Sequence, residues 1–123
     1  MSFQEQVQRD AAIDATAFEF KTLAEAMKGT HGIVFIYARW SGTAIHAWQT
    51  LTTALATLER LPAVVVVDAD EFQPALANEL LGELPQGKGE TFWMKQGRIV
   101  AKLSGYRESA TETIFQHSQS LIL

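Results

Sequence analysis

Two continuous apolar segments, residues 33–38 and 63–67, constrain the fold of this chain more than any other feature. Both are rich in β-branched or aromatic side chains, which is typical of strands buried on both faces of a sheet. Between them lies one apolar stripe at helical spacing, formed by Ala44, Ala47, Leu51, Leu55 and Leu58. This stripe predicts a long helix over residues 44–60. Because strand–helix–strand units cross over in a right-handed sense within one sheet, we expect the two strands to be parallel.

The remaining segments predict shorter elements on either side of this unit. In chain order they are a short helix or loose arm at 2–10, a short edge strand at 11–14, a helix at 16–28, a helix at 72–81, a β-hairpin of 91–94 with 99–103, and a C-terminal helix at 110–121. This order predicts an α/β fold with a central mixed sheet of four to five strands and helices on both faces. We expect residues 1–13 to form an N-terminal arm or short helix and residues 14–123 to form the domain.

The composition argues against several classes of protein. The 123 residues include no cysteine, so thiol chemistry and disulfides are excluded. Ten Lys and Arg against fourteen Asp and Glu give a net charge of −4, which argues against nucleic acid or an anionic membrane as the main partner. The start of the chain lacks the apolar core of a secretory signal, and no apolar stretch is long enough to span a membrane. We therefore expect a cytoplasmic protein.

The turn between the first buried strand and the long helix reads Trp40-Ser41-Gly42-Thr43-Ala44, and it resembles the Trp-Cys-Gly-Pro-Cys turn of the thioredoxin family. Other spacings match that family. Asp70 lies thirty residues after Trp40, Pro85 of Leu84-Pro85 lies fifteen residues after Asp70, and Gly105 lies eight residues after Gly97 of Lys95-Gln96-Gly97. The resemblance covers residues 14–122 and implies a thioredoxin-like fold.

The departures from the family pattern concern redox chemistry. Ser41 and Ala44 occupy the cysteine positions, and Phe35 occupies the position of the family's buried aspartate. Gln49 replaces the proline that kinks the family's long helix. The resemblance therefore implies a redox-inactive member. In the family the proline matched by Pro85 is cis, but extra residues follow it here, which leaves its isomer open.

The resemblance also implies a groove for an extended peptide, which would be formed by Trp40, Ser41, Gly42, Leu84, Pro85, Gly105 and Tyr106. Ile45 and Trp48 lie three residues apart to one side of the buried helical stripe, so they either extend this surface or fill the core. Trp and Tyr are favoured at binding surfaces because they bury a large area at a small entropic cost. We therefore predict a binding module that holds a protein or peptide without catalysis.

Alternative interpretations stay open at this stage. Ser41 either acts in an enzyme, as a hydroxyl nucleophile or as a contact to glutathione or another small acid, as in some transferases of the thioredoxin fold, or caps the long helix. A third possibility is a homodimer that uses Ile45 and Trp48. Asp68, Asp70 and Glu71 cluster after a strand, but a metal site would need more ligands. The sequence predicts no metal, no cofactor and no catalytic residue, and Gly87-Lys88-Gly89 predicts a flexible loop.

Overall fold

Five strands and five α-helices form along residues 1–121, the part of the chain that the computed structural model describes. The elements are α1 (Phe3–Asp10), β1 (Phe18–Phe20), α2 (Leu23–Ala26), β2 (Gly32–Tyr37), α3 (Gly42–Leu55), β3 (Val64–Asp68), α4 (Pro74–Leu81), β4 (Thr91–Lys95), β5 (Arg98–Leu103) and α5 (Ala110–Ser120). The chain thus forms an α/β fold, as predicted. None of the helices in residues 1–121 is long and apolar enough to cross a bilayer.

The strands form one open mixed sheet in the order β1-β3-β2-β4-β5. Strands β2 and β3 are parallel, with a register that runs from Ile33 opposite Val64 to Tyr37 opposite Asp68, so the predicted strand–helix–strand unit is confirmed. The short β1 pairs parallel to β3, and β4 pairs antiparallel to both β2 and β5. The carboxyl ends of β2 and β3 therefore lie at the same edge of the sheet.

Each face of the sheet packs against its own set of helices, because successive side chains of a strand point to opposite faces. On one face, Ile33, Phe35 and Tyr37 pack with buried residues of α1, α3 and α5. On the other, Val34 and Ile36 pack with buried residues of α2 and α4. Both faces are covered, as the sequence predicted.

The predicted strand at 11–14 and the predicted helix at 16–28 are wrong. The strand lies at Phe18–Phe20, and only Leu23–Ala26 is helical. Phe18 is buried, and its ring centroid lies 5.5 Å from that of Trp48. This packing and the pairing with β3 override the approximate helical spacing of the apolar residues. The helix begins later because Thr22 and Glu25 form a reciprocal capping box.

The N-terminal segment is a helix that packs against the sheet rather than a loose arm. The Ser2 side chain caps it and accepts a hydrogen bond from the Glu5 backbone N–H at 3.1 Å. Val7 is fully buried in the core that α3 and β2 share. The Val7 carbonyl accepts a hydrogen bond from the Trp48 indole at 3.0 Å. This contact joins the predicted arm to the centre of the domain.

Trp48 belongs to the core, so the prediction that it forms part of a partner-binding surface is wrong. Its side chain is fully buried, and its ring centroid lies 5.1 Å from that of Phe35. The large side chain fills space between α3 and the sheet, and its one polar atom is satisfied by Val7. Ile45 is only partly buried and packs against the same core, so the two residues do not form a shared exposed patch.

Candidate functional site

The turn from β2 into α3 is held by the Ser41 side chain. Ser41 is the N-cap of α3, and its hydroxyl oxygen accepts a hydrogen bond from the Ala44 backbone N–H at 3.2 Å. The same hydroxyl donates to the Gly87 carbonyl oxygen at 2.5 Å. Both bonds go to the backbone, so the hydroxyl proton is engaged with a carbonyl rather than with a base. Ser41 therefore serves as a helix cap and as a tie to the loop before β4.

Trp40 is the large side chain that this turn presents to solvent. It is 65% exposed, and its indole nitrogen donates a hydrogen bond to Asp70 Oδ1 at 3.1 Å. Gly87 lies directly against the ring, because a Cβ added to Gly87 would come within 2.6 Å of a ring carbon. The indole is thus held in place by two separate chain segments while much of its surface stays accessible.

An apolar hollow of about 170 Å³ lies next to this turn. It is lined by Ala69, Phe72, Pro74, Ala77, Leu84 and Pro85. Leu84 is 49% exposed at its rim. The peptide bond before Pro85 is trans, so the cis bond of the family pattern is not present here. Trp40 does not itself line the hollow; the two are linked through Ala69, which precedes the Asp70 that binds the indole.

A buried carboxylate orders the loop before β4. Glu90 is only 4% exposed, and its two oxygens accept hydrogen bonds from the backbone N–H groups of Gln86, at 2.7 Å, and Lys88, at 3.2 Å. The loop was predicted to be flexible, but Glu90 and Ser41 give it fixed contacts. Sequence reasoning missed Glu90, although a carboxylate between a glycine-rich loop and an apolar strand was the available signal.

Gly105 and Tyr106, in the segment after β5, form hydrogen bonds with the same loop and with the start of β4. The Gly105 backbone N–H donates to the Lys88 carbonyl at 2.9 Å. The Tyr106 hydroxyl is hydrogen-bonded to Thr91 Oγ1 at 2.7 Å. Burial raises the pKa of Tyr106, so its hydroxyl stays protonated near neutral pH and supports the structure rather than acting as a base.

The predicted site residues therefore separate into three groups. The exposed apolar surface consists of Trp40, Leu84 and the hollow that includes Pro85. Ser41, Gly105 and Tyr106 hold the loops that support this surface, and Gly42 is the exposed first residue of α3. Trp48 belongs to the buried core instead, and the partly buried Ile45 packs against it.

The titratable residues do not form a metal centre in residues 1–121. No group of three or more His, Asp or Glu side chains in this part of the chain is arranged to hold a metal ion. His31 contacts the Leu121 carbonyl at 3.1 Å, and the ring of His117 lies 4.9 Å from that of Trp93. These two histidines are therefore engaged in structural contacts.

Known proteins supply no assignment for this surface. No family model matches the chain, and no curated protein is significantly similar to it. The surface around Trp40 is therefore the feature from which a function is inferred.

Proposed function

We propose that this chain is a thioredoxin-like domain without redox chemistry, which binds an extended protein or peptide segment at the surface around Trp40. The strand order β1-β3-β2-β4-β5 and the matched spacings from Trp40 to Gly105 support the thioredoxin-like assignment. The absence of cysteine from all 123 residues excludes thiol–disulfide exchange. What remains is a scaffold whose turn carries an exposed tryptophan.

The observation that carries the proposal is the exposure of a fixed Trp40. The indole is 65% exposed, yet its nitrogen is bonded to Asp70 and its ring lies on Gly87. A tryptophan that is already ordered loses little conformational entropy when a partner covers it. Such anchors contribute strongly to protein interfaces when they pair with an apolar pocket. The neighbouring hollow and Leu84 provide further apolar area.

The supporting loop is ordered by contacts from three directions. Ser41 binds the Gly87 carbonyl, Glu90 binds the Gln86 and Lys88 amides, and Gly105 binds the Lys88 carbonyl. A surface that keeps its shape before binding reduces the free energy lost on association. These contacts favour recognition of a segment by a preformed surface.

The proposal excludes catalysis by Ser41. A serine nucleophile needs an adjacent base, whereas the Ser41 hydroxyl donates to a backbone carbonyl and caps α3. The same contacts weigh against Ser41 as the ligand of glutathione or a small acid. The burial of Trp48 and the packing of Ile45 weigh against the homodimer alternative, which relied on these two residues.

Titration of labelled synthetic peptides tests the proposal. We would measure fluorescence anisotropy for short, unstructured peptides that carry a leucine or phenylalanine anchor. Trp40→Ala should weaken binding about tenfold or more, which corresponds to about 1.4 kcal/mol. Leu61→Ala is the matched control, because Leu61 is 44% exposed and lies in the loop before β3. Equal affinity of the Trp40→Ala variant and the native protein would contradict the proposal.

A second measurement addresses the enzyme alternative. Ligands that bind the native state raise the melting temperature, and the stabilisation grows with the logarithm of the ligand concentration once that exceeds Kd. Millimolar reduced glutathione should leave the melting temperature unchanged, whereas a peptide bound at the Trp40 surface should raise it. A clear shift with glutathione that Ser41→Ala abolishes would favour the alternative.

A further inference from the structure

We infer that the segment bound beside Trp40 is basic, with Lys or Arg side chains next to its apolar anchor. The inference rests on the proposed function and specifies the chemistry of its partner. It depends on a second cavity that shares Asp70 with the Trp40 surface and on the distribution of charge around it.

The second cavity is a cleft of about 700 Å³ at the edge of the sheet where β1 and β3 end. Phe3, Phe20 and Val66 give it apolar walls, and four carboxylates line it: Glu25, Asp68, Asp70 and Glu71. The one basic side chain in the lining is Lys21. Its amino group lies 3.3 Å from a carboxylate oxygen of Glu19, which is outside the cleft. The cleft therefore carries an excess of negative charge.

None of these four carboxylates forms a salt bridge within residues 1–121; Glu25 is instead held by Thr22 in the capping box of α2, with a weaker attraction to Lys21. The ion pairs found there join Arg9 to Asp10, Lys21 to Glu19, and Lys102 to Glu83. Asp68 and Asp70 each use Oδ1 to accept one hydrogen bond, from the Asp70 amide and the Trp40 indole respectively. The Oδ2 atom of each accepts no hydrogen bond from residues 1–121, so it can accept one from a ligand.

Basic side chains of the protein gather at the opposite end of β2. His31, Lys95 and Arg98 line a cavity there, and Arg60 lines its neighbour. They lie beyond the start of the strand, whereas Trp40 follows its end. At the Trp40 end, Arg39 is hydrogen-bonded to the Met1 carbonyl and the Gln6 side chain, and the exposed Lys88 lies in the loop before β4. Neither residue lines the cleft, so the excess of negative charge is local to the cleft beside the exposed tryptophan.

The acidic cleft and the apolar hollow adjoin one another through consecutive residues. Asp68 and Asp70 line the cleft, and Ala69 lines the hollow. Asp70 also binds the indole of Trp40. A single extended segment that crosses this point meets apolar surface and carboxylates within a few residues. Electrostatic complementarity of this kind increases the association rate and rejects partners of the wrong charge, and guanidinium groups bind carboxylates with two parallel hydrogen bonds.

The test uses three synthetic peptides of equal length that share one apolar anchor. Their flanking residues are Lys and Arg in the first, Gln and Ser in the second, and Glu in the third. Affinity is measured by anisotropy at low and high salt with the native protein, the double variant Asp68→Asn and Glu71→Gln, and Trp40→Ala. Glu112→Gln in α5 is the matched charge control, because Glu112 is exposed and lies outside the cleft.

We expect the basic peptide to bind about tenfold more tightly than the neutral one at low salt, and this advantage to shrink as salt screens the charges. The double variant should lose most of the advantage and bind the neutral peptide as the native protein does, whereas Glu112→Gln should keep it. If all three peptides bind equally and all depend on Trp40, the charge preference is wrong and the proposed function stands. If no peptide binds in a manner that depends on Trp40, the proposed function itself fails.

Discussion

The hydroxyl of Ser41 connects the start of α3 to the Gly87 carbonyl, which lies forty-six residues later in the chain. The same oxygen accepts the Ala44 amide, so one side chain both caps a helix and positions a loop. Ser41 thus has a structural role at two separate parts of the chain.

Replacement of Ser41 by alanine should therefore destabilise the protein. Loss of an N-cap costs about 1 kcal/mol, and loss of the bond to Gly87 adds a cost of about 1 kcal/mol. Urea unfolding at neutral pH measures the change. Thr43→Ala is the matched control, because Thr43 is exposed two residues further along the same helix, and its effect should stay within about 0.5 kcal/mol. Equal effects of the two substitutions would contradict the double role of Ser41.

Substitution of Trp48 should be far more damaging than substitution of Trp40. Trp48 is fully buried and bonded to the Val7 carbonyl, so Trp48→Ala should cost about 3 to 5 kcal/mol. Trp40 is 65% exposed, and Trp40→Ala should change the free energy of unfolding by less than about 1 kcal/mol. Chemical denaturation monitored by circular dichroism separates the two. A Trp48→Ala variant of native stability would place this side chain outside the core.

Gly89 should resist substitution because of a specific collision. A Cβ at Gly89 would lie 2.3 Å from the Cβ of Ala47, and the backbone φ is +70°. Gly105→Ala is the matched control: its φ is +57°, but an added Cβ meets nothing within 4 Å. We expect Gly89→Ala to be more destabilising than Gly105→Ala by at least about 1 kcal/mol.

A double-mutant cycle isolates that collision. Ala47→Gly removes the opposing Cβ, so Gly89→Ala should cost less in the Ala47→Gly background than in the native one. Strain from the positive φ remains in both backgrounds and cancels in the comparison. Additive effects of the two substitutions on the free energy of unfolding would mean that the loop relaxes away from α3.

Tyr106 should make stability fall in alkaline solution. Burial raises the pKa of its hydroxyl in the folded protein above the ordinary value of 10.0. The contribution of the neutral hydroxyl to the free energy of unfolding is present in full below pH 10 and is lost as the pH rises towards the folded-state pKa. The reason is that the unfolded chain releases the proton first. The free energy of unfolding should therefore decrease less steeply above pH 10 in Tyr106→Phe than in the native protein.

Other groups that titrate in this range, including Tyr37, are common to both proteins and cancel in the comparison of slopes. At neutral pH, Tyr106→Phe should lose the contribution of the Thr91 hydrogen bond, about 0.5 to 1.5 kcal/mol. Parallel pH curves for the two proteins would contradict a raised pKa at Tyr106.

The sequence predicted the centre of the fold because each element there has one dominant pattern. The apolar runs of β2 and β3 contain no polar interruption, and the stripe from Ala44 to Leu55 has only helical spacing. Phe18 and Phe20 are ambiguous, since two aromatic residues two positions apart suit a strand while the residues after them suit a helix. Pairing with β3 decides between these patterns, and pairing is not visible in a local window.

The site was partly predictable for the same reason. Trp40 and Ser41 stand at a strand-to-helix turn that can be read locally, so the exposure of Trp40 and the helix cap of Ser41 could be anticipated. The burial of Trp48 and the contact of Gly87 with Trp40 depend on segments that are distant in the chain. Glu90 accepts two backbone hydrogen bonds only because its loop brings the N–H groups of Gln86 and Lys88 together, and this loop conformation is not visible in the sequence.

The hydrogen bond from Trp48 to Val7 has a consequence for synthesis of the chain. Residues of α1 leave the ribosome before those of α3, and the indole that receives α1 is translated 41 residues after Val7. Phe3, which packs against Tyr37, has a similar delay. The amphipathic helix α1 therefore cannot make this contact until Trp48 has emerged, and nascent chains stalled before residue 48 would expose Val7 to chaperones.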